Sequence, residues 1–452
     1  MAVGAGDLES LARGFAGEIV GPDDQGYDAA RAVWNSMIDR RPALIVRPTG
    51  TDDVVAALRF AREQDLIVAV RCGGHSIPGF STCDDGIVID LSRLRGAEVD
   101  PERRTARVRG GSLLSELDDA AQAHRLVCPV GVVSHTGVAG LTLGGGMGRL
   151  QRKLGLTVDS LLAVELVTAD GRVVRASEHE NPELFWGLRG AGANFGIVTS
   201  FEFRLHPLDG LVTHGTVTHP IERAEELAER FRELTEDGPD ELWTSFGMAV
   251  GGTHGPVASV SVLHSGSPAD AERDLAVLRA LDDPLEDSIE AKPYLASQRL
   301  FDAPMEWGQR FAMKSSFLAS LPEALVREWG DELSRMPDGA EGGFSIWAWG
   351  RAIAAVPEDD TAFTGRDAAF WAGAEVLWAD ESIDAPCRSW ARAAVDAAAP
   401  HASAGRYVND VAEVGGDVAR TIYGDAKYKR LLRLKREWDP DNLFRLNQNV
   451  AP

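Results

Sequence analysis

The chain has 452 residues, 44% of them hydrophobic and 25% charged, the balance of a globular protein with enough length for two domains. Its net charge of −23 repels nucleic acid and anionic membranes, so neither is expected as a partner. Cys72, Cys83, Cys128 and Cys387 form no CxxC pair and no Cys/His cluster of zinc spacing, there is no membrane-length apolar run, and the N-terminus lacks a signal-peptide pattern, so no metal and a cytoplasmic location are expected.

In chain order, 42–48 predicts a short strand, 54–63 a helix started by Thr51-Asp52-Asp53, and 66–70 a buried strand. That strand runs straight into Arg71-Cys-Gly-Gly-His-Ser76. Strands follow over 86–91 and 106–110, then a helix over 115–124. A glycine-dense stretch covers 131–148, and after it come strands 161–167 and 172–175, a helix over 181–187, and a second glycine loop, Gly190–Gly196, that enters strand 197–205. From about 208 to 400 the texture changes. Strands at 212–217, 258–263, 343–349 and 374–378 alternate with helices at 222–234, 269–281, 324–336 and 389–398, an antiparallel sheet covered by helices. The last fifty residues return to polar, motif-like sequence, and no internal repeat occurs.

Two segments bear on chemistry. In Arg71–Ser76, paired glycines let backbone N–H groups approach an anion, although a glycine turn beside a packed histidine is the plainer reading of these residues alone. In 131–148, seven of eighteen residues are glycine, a conformational cost of roughly 0.5–1 kcal/mol each relative to alanine in regular structure. Close approach of backbone to a large flat cofactor offsets such a cost; a glycine-rich bend between strands is the plainer reading. The segment has neither the GxGxxG dinucleotide fingerprint nor a phosphate-binding GK[ST].

The motifs, taken together, resemble the berberine-bridge-enzyme-like FAD-linked oxidases of the vanillyl-alcohol-oxidase/PCMH superfamily. They are Arg47-Pro-x-Gly50 with Val54–Leu58, Val70–Ser76, Gly86–Leu91, Thr136–Gly148, Leu166–Gly171, Asn181–Trp186, Arg189–Thr199, Arg406–Asn409 and Tyr428 through Asp439–Asn449. The resemblance implies an α+β fold. A two-part PCMH-type FAD-binding domain, 1–205 with a returning segment 401–452, would flank an α+β substrate domain, 206–400. It implies FAD attached through His75, with Arg71, Cys72, Gly73, Gly74 and Ser76 along the pyrophosphate. Val133, Ser134, Thr136, Gly137, Gly140, Gly144, Gly145 and Gly148 would surround the cofactor, Gly196, Ile197 and Val198 its adenine half, and Asn409 and Asn447 the flavin.

Many relatives add a bond from a cysteine to the flavin. Alignment on Gly144–Gly146 puts that position at Val133, and Cys128 lies five residues too early, so a single attachment is expected. Tyr407 falls on the family's catalytic base. A strand reading places it on one face with Asn409. Trp347 with Trp349, and Trp371 with Glu375, share strand faces expected to meet the substrate. The implied activity is an oxidase moving hydride from an alcohol or amine carbon to flavin N5, with O2 reduced to H2O2 and Thr136 at the position that controls oxygen access. A dehydrogenase on the same scaffold and a non-enzymatic flavin-binding protein are the alternatives. Sugars, secondary-metabolite alcohols and cyclic amines are all open as the small-molecule substrate, for a monomer or homodimer.

Overall fold

The first of three main sheets in the computed structural model, which describes residues 5–452, orders its strands Glu18–Val20, Leu44–Arg47, Ile87–Asp90 and Val68–Arg71. The last three run parallel. Parallel strands need a crossover, and the helix Thr51–Glu63 supplies it, burying Val54, Ala57, Leu58 and Ala61. Ile87–Asp90, central and covered on both faces, is buried at every residue. The second sheet is antiparallel, in the order Ala97–Asp100, Thr105–Arg109, Gly196–Arg204, Leu161–Thr168 and Val173–Ser177.

The third sheet has eight antiparallel strands. Its centre is Leu211–Pro220, Val257–His264, Leu242–Val250, Ala340–Ala348, Phe370–Trp378 and Arg310–Leu318, in that order. Alternation along each strand divides its faces. Phe246, Phe344, Ile346, Ala372 and Val376 pack on Phe231, Trp329 and Trp390 of the helices Ala224–Asp237, Glu323–Leu333 and Asp384–Ala398. Trp243, Ser245, Ser345, Trp347, Trp371 and Glu375 point the other way, into a cavity.

After the third sheet the chain returns to the second. The helix Gly416–Trp438, kinked at Gly424, shares a core with Phe201, Phe203 and Trp186 through Ile422, Tyr423, Leu431 and Leu434. Its last turn carries a fully buried ion pair. Lys435 Nζ donates to Asp439 Oδ2 at 2.6 Å and to the carbonyls of Asn194 (2.9 Å) and Phe444 (2.8 Å). Asp439 accepts from the N–H groups of Leu443 and Phe444 at 2.8 and 2.9 Å. With all three ammonium protons placed, the pair tolerates its desolvation and pins the tail that ends the chain.

Four of the larger elements depart from the sequence expectation. Strands Leu242–Val250 and Arg310–Leu318 and the long C-terminal helix appear where none was predicted, and the helix expected over 269–281 breaks at Leu275. No helix among the described residues is long and apolar enough to cross a membrane.

Candidate active site

A cavity of about 790 Å3 opens where the three sheets and the returning C-terminal segment meet. Its walls include the loop Cys72–Pro78, the short helix Val138–Leu143, the strand start Gly196–Val198, the inner face of the third sheet, and Tyr407–Asp410 with Asn447. Of the residues singled out in the sequence, Cys72, Gly73, Gly74, His75, Ser76, Val133, Thr136, Gly137, Gly140, Gly196, Ile197, Val198, Tyr407, Asn409, Asn447, Trp347, Trp371 and Glu375 all line it.

The loop after strand Val68–Arg71 can reach the cavity because Gly73 and Gly137 cross backbone on backbone; a Cβ on either would collide with the other's amide nitrogen. Gly140 differs. A Cβ there would meet nothing within 4 Å, and it faces the cavity, so the helix Val138–Leu143 presents bare backbone to an open space that suits a flat cofactor. His75 hangs from this loop. Its Nε2 lies 2.7 Å from His135 Nδ1, Trp34 stacks on its ring at 5.0 Å, and Trp307 meets it edge-on at 6.3 Å. Burial, assisted by the neighbouring His135, pushes the imidazole down to about 3, so His75 is neutral at physiological pH. With Nε2 engaged, Nδ1 is the ring nitrogen left free.

Tyr407 does not lie on a strand. It precedes a 3-10 turn, Val408–Asp410, and it is this turn, not strand alternation, that folds Asn409 back onto it. Asn409 Nδ2 donates to Tyr407 Oη at 3.0 Å, and the N–H groups of Gly146 and Met147 donate at 3.2 and 3.3 Å. Burial, with Asp410 adding to it, pushes the phenol up, while these three donors pull it down. Two carboxyls share the same end of the cavity. Asp410 accepts from Trp371 Nε1 at 2.9 Å. Burial pushes both Asp410 and Glu375 up to about 7, and the nearby Glu375 adds to the shift of Asp410. Trp347 and Trp371 are cross-strand partners in T-shaped contact at 5.9 Å, and Trp243 meets Trp347 at 4.9 Å, an aromatic wall across three strands.

Six expected site residues have other positions. Arg71 is buried away from the cavity, donating to the carbonyls of Ala30 and Ala32 and pairing with Asp90 at 2.8 Å; a guanidinium so placed braces the strand end. Ser134 is turned to Asp302, which accepts from its backbone N–H at 2.8 Å. Gly144 and Gly145 are glycine because Asn409 and the Phe363 ring approach them, the latter within 2.6 Å of a Cβ on Gly145, and Gly148 closes against the Val130 carbonyl. Trp349 lies past the end of its strand, among Phe317 and Phe363, with its Nε1 on the Gly365 carbonyl at 3.0 Å. Cys128 is fully buried in the core of the second sheet, outside the cavity wall. The sequence reasoning missed Trp34, His135, Arg149, His214, Trp243 and Asp410, all at or against the cavity. His135 had a signal, as a histidine inside the glycine-rich segment; the others come from separate elements that only the fold brings together.

Comparison with known proteins agrees with this geometry. The family described as FAD binding domain matches residues 42–177, and the family described as berberine and berberine like matches residues 406–451. An (R)-6-hydroxynicotine oxidase of Paenarthrobacter nicotinovorans is 33% identical over 96% of this chain and 97% of its own length. An FAD-linked oxidoreductase of Dictyostelium discoideum is 30% identical over 93% of this chain and 91% of its own. The crystal structure of 6-hydroxy-D-nicotine oxidase from Arthrobacter nicotinovorans superposes with a TM-score of 0.89 at 31% identity, covering 97% of this chain and 98% of that one.

Proposed function

Because the chain belongs to the berberine-bridge-like family of FAD-linked oxidoreductases, we propose that it is an oxidase that holds FAD covalently on His75 and oxidises an alcohol or amine carbon of a small, ring-bearing substrate. The observation that carries this reading is the convergence of three N–H donors on Tyr407 Oη in the cavity that also holds His75. FAD, when bound, would supply the two-electron acceptor for the substrate C–H bond, with O2 as the final oxidant and H2O2 as its product.

The chain's own residues supply attachment, orientation and proton transfer. Bare backbone at Gly140, facing a cavity also lined by Cys72–Ser76 and Gly196–Val198, suits close approach of a dinucleotide. His75 is the attachment point: in the neutral tautomer whose Nε2–H donates to His135 Nδ1, the His75 Nδ1 lone pair is free for the bond. Tyr407 takes the proton from the substrate O–H or N–H as hydride leaves, and Gly146, Met147 and Asn409 stabilise the charge that grows on its oxygen. Burial raises Asp410 to about 7, and its protonation removes a nearby charge that opposes this. The tryptophan wall orients a flat ring, and the relative's name makes a 6-hydroxynicotine the first compound to test, beside sugars and simple alcohols.

The test is anaerobic mixing with this panel, followed by admission of oxygen. Bleaching of the flavin and stoichiometric H2O2 on reoxidation are expected. A flavin that bleaches but is not reoxidised by oxygen refutes the oxidase in favour of a dehydrogenase.

A further inference from the structure

The wall of the cavity formed by Trp243 and Phe301 carries a feature that the proposed chemistry does not use. Arg149, 3% exposed, lies with its guanidinium 5.0 Å from the Phe301 ring centre and 5.8 Å from that of Trp243. Its Nη1 donates to the Ser297 carbonyl at 3.0 Å, and its Nε has no partner. No carboxylate among the described residues pairs with it. Burying an unpaired cation costs several kcal/mol, so natural cores almost always give such a charge a counter-ion.

Two further basic groups line the same cavity. His214, also 3% exposed, has a buried Nδ1 with no partner, and Lys292 follows on the neighbouring strand. The three are close enough that the charges of Arg149 and Lys292 add to burial in pushing His214 down to about 3. Lys292 has one carboxylate neighbour, Glu290 at 3.3 Å, which is itself turned to solvent. In a chain of net charge −23, three basic side chains on one cavity wall are not a product of composition.

Resting on the oxidase reading above, we propose that Arg149, with Lys292 and His214 beside it, is an anion subsite, and that the substrate is a ring compound bearing a carboxylate. The guanidinium supplies the charge for an anion, and Trp243 and Phe301 supply the faces for the attached ring. The cofactor's own phosphates are the other source of anionic oxygen. The segments Cys72–Ser76 and Gly137–Gly140 belong to the first two sheets' side of the cavity, whereas Trp243, His214 and Lys292 belong to the third sheet.

Benzoate and benzamide are the probes, titrated into the wild-type protein as isolated and into Arg149→Met and Arg149→Lys, with the flavin spectrum and the melting temperature as readouts. Benzoate is expected to perturb the spectrum saturably and to raise the melting temperature of wild type. Its Kd should rise roughly 10- to 100-fold in Arg149→Met, the loss of a charge-assisted contact, and less in Arg149→Lys. Benzamide should bind weakly and equally to all three. Without ligand, Arg149→Met should melt no lower than wild type, since it removes an unpaired buried charge. Equal benzoate affinity in wild type and Arg149→Met overturns the subsite, as does benzamide binding as tightly as benzoate in wild type. An Arg149→Met that loses its flavin, or does not fold, assigns the cation to cofactor or structure and also overturns it. A wild type without flavin refutes the oxidase reading instead, and the benzoate melting shift still decides the subsite.

Discussion

Tyr407→Phe separates the chemistry from the architecture. The phenylalanine keeps the buried ring and its T-shaped contact with Phe363, 6.1 Å between centres, and deletes one atom. That atom is the shared acceptor for Gly146 N–H, Met147 N–H and Asn409 Nδ2. Leaving buried donors unpaired costs about 1–3 kcal/mol each, so the variant should melt lower yet stay folded. The loss of a positioned base is larger in its effect on rate. Flavin reduction should slow by roughly 10²–10⁴-fold, equivalent to about 2.7–5.4 kcal/mol of barrier. Anaerobic stopped-flow bleaching at saturating substrate measures this step without interference from reoxidation. Asn409→Ala, which removes one donor and keeps the phenol, should fall between wild type and Tyr407→Phe and move the pH profile to higher pH. An unchanged reduction rate in Tyr407→Phe refutes the assignment and passes the base role to Glu375, the acidic group on the cavity wall beside Asp410.

Other residues give independent checks. Acid-precipitated wild type should stay yellow and His75→Ala should release its flavin; a colourless wild-type pellet is the contrary result. Burial pushes Glu375 up to about 7 in the folded chain, against about 4.3 when unfolded, so the native state holds more protons between those values. Stability should therefore fall as pH rises through that window, and Glu375→Gln should flatten the fall; parallel melting curves for variant and wild type at pH 5 and pH 8 would contradict this. Asp439→Asn leaves Lys435 buried without its partner and should cost about 3–5 kcal/mol, seen in chemical denaturation, with the C-terminal tail protected least from proteolysis.

Most of the elements could be read from periodicity because their faces are either core or solvent. The exceptions have faces that are neither. Leu242–Val250 and Arg310–Leu318 place Ser245 and Ser315 among the aromatic residues on the side that looks into the cavity, so the apolar/polar alternation that marks a strand is interrupted where the site lies. The helix Gly416–Trp438 hides its period differently. It kinks at Gly424 and buries Lys427 and Lys435, whose charges are paired by Glu358 and Asp439, so no apolar stripe runs its length.

The glycine-rich segment shows why the site was only half readable. Glycine density says that something approaches the backbone closely, and that much follows from the missing Cβ. It does not say what approaches. At Gly140 it is the open cavity; at Gly144 it is Asn409, at Gly145 Phe363 and at Gly148 the chain itself. So one motif, read as a cofactor cradle throughout, divides into a cradle and a socket for the turn that carries Tyr407. The socket is the more consequential half. Gly146 and Met147 deliver to the phenol oxygen the two N–H groups that Asn409 completes, and Gly144 and Gly145 let that turn come near enough to receive them. An alanine at Gly144 should therefore injure the reaction through Asn409, displacing the amide from Tyr407 Oη, before it injures flavin content.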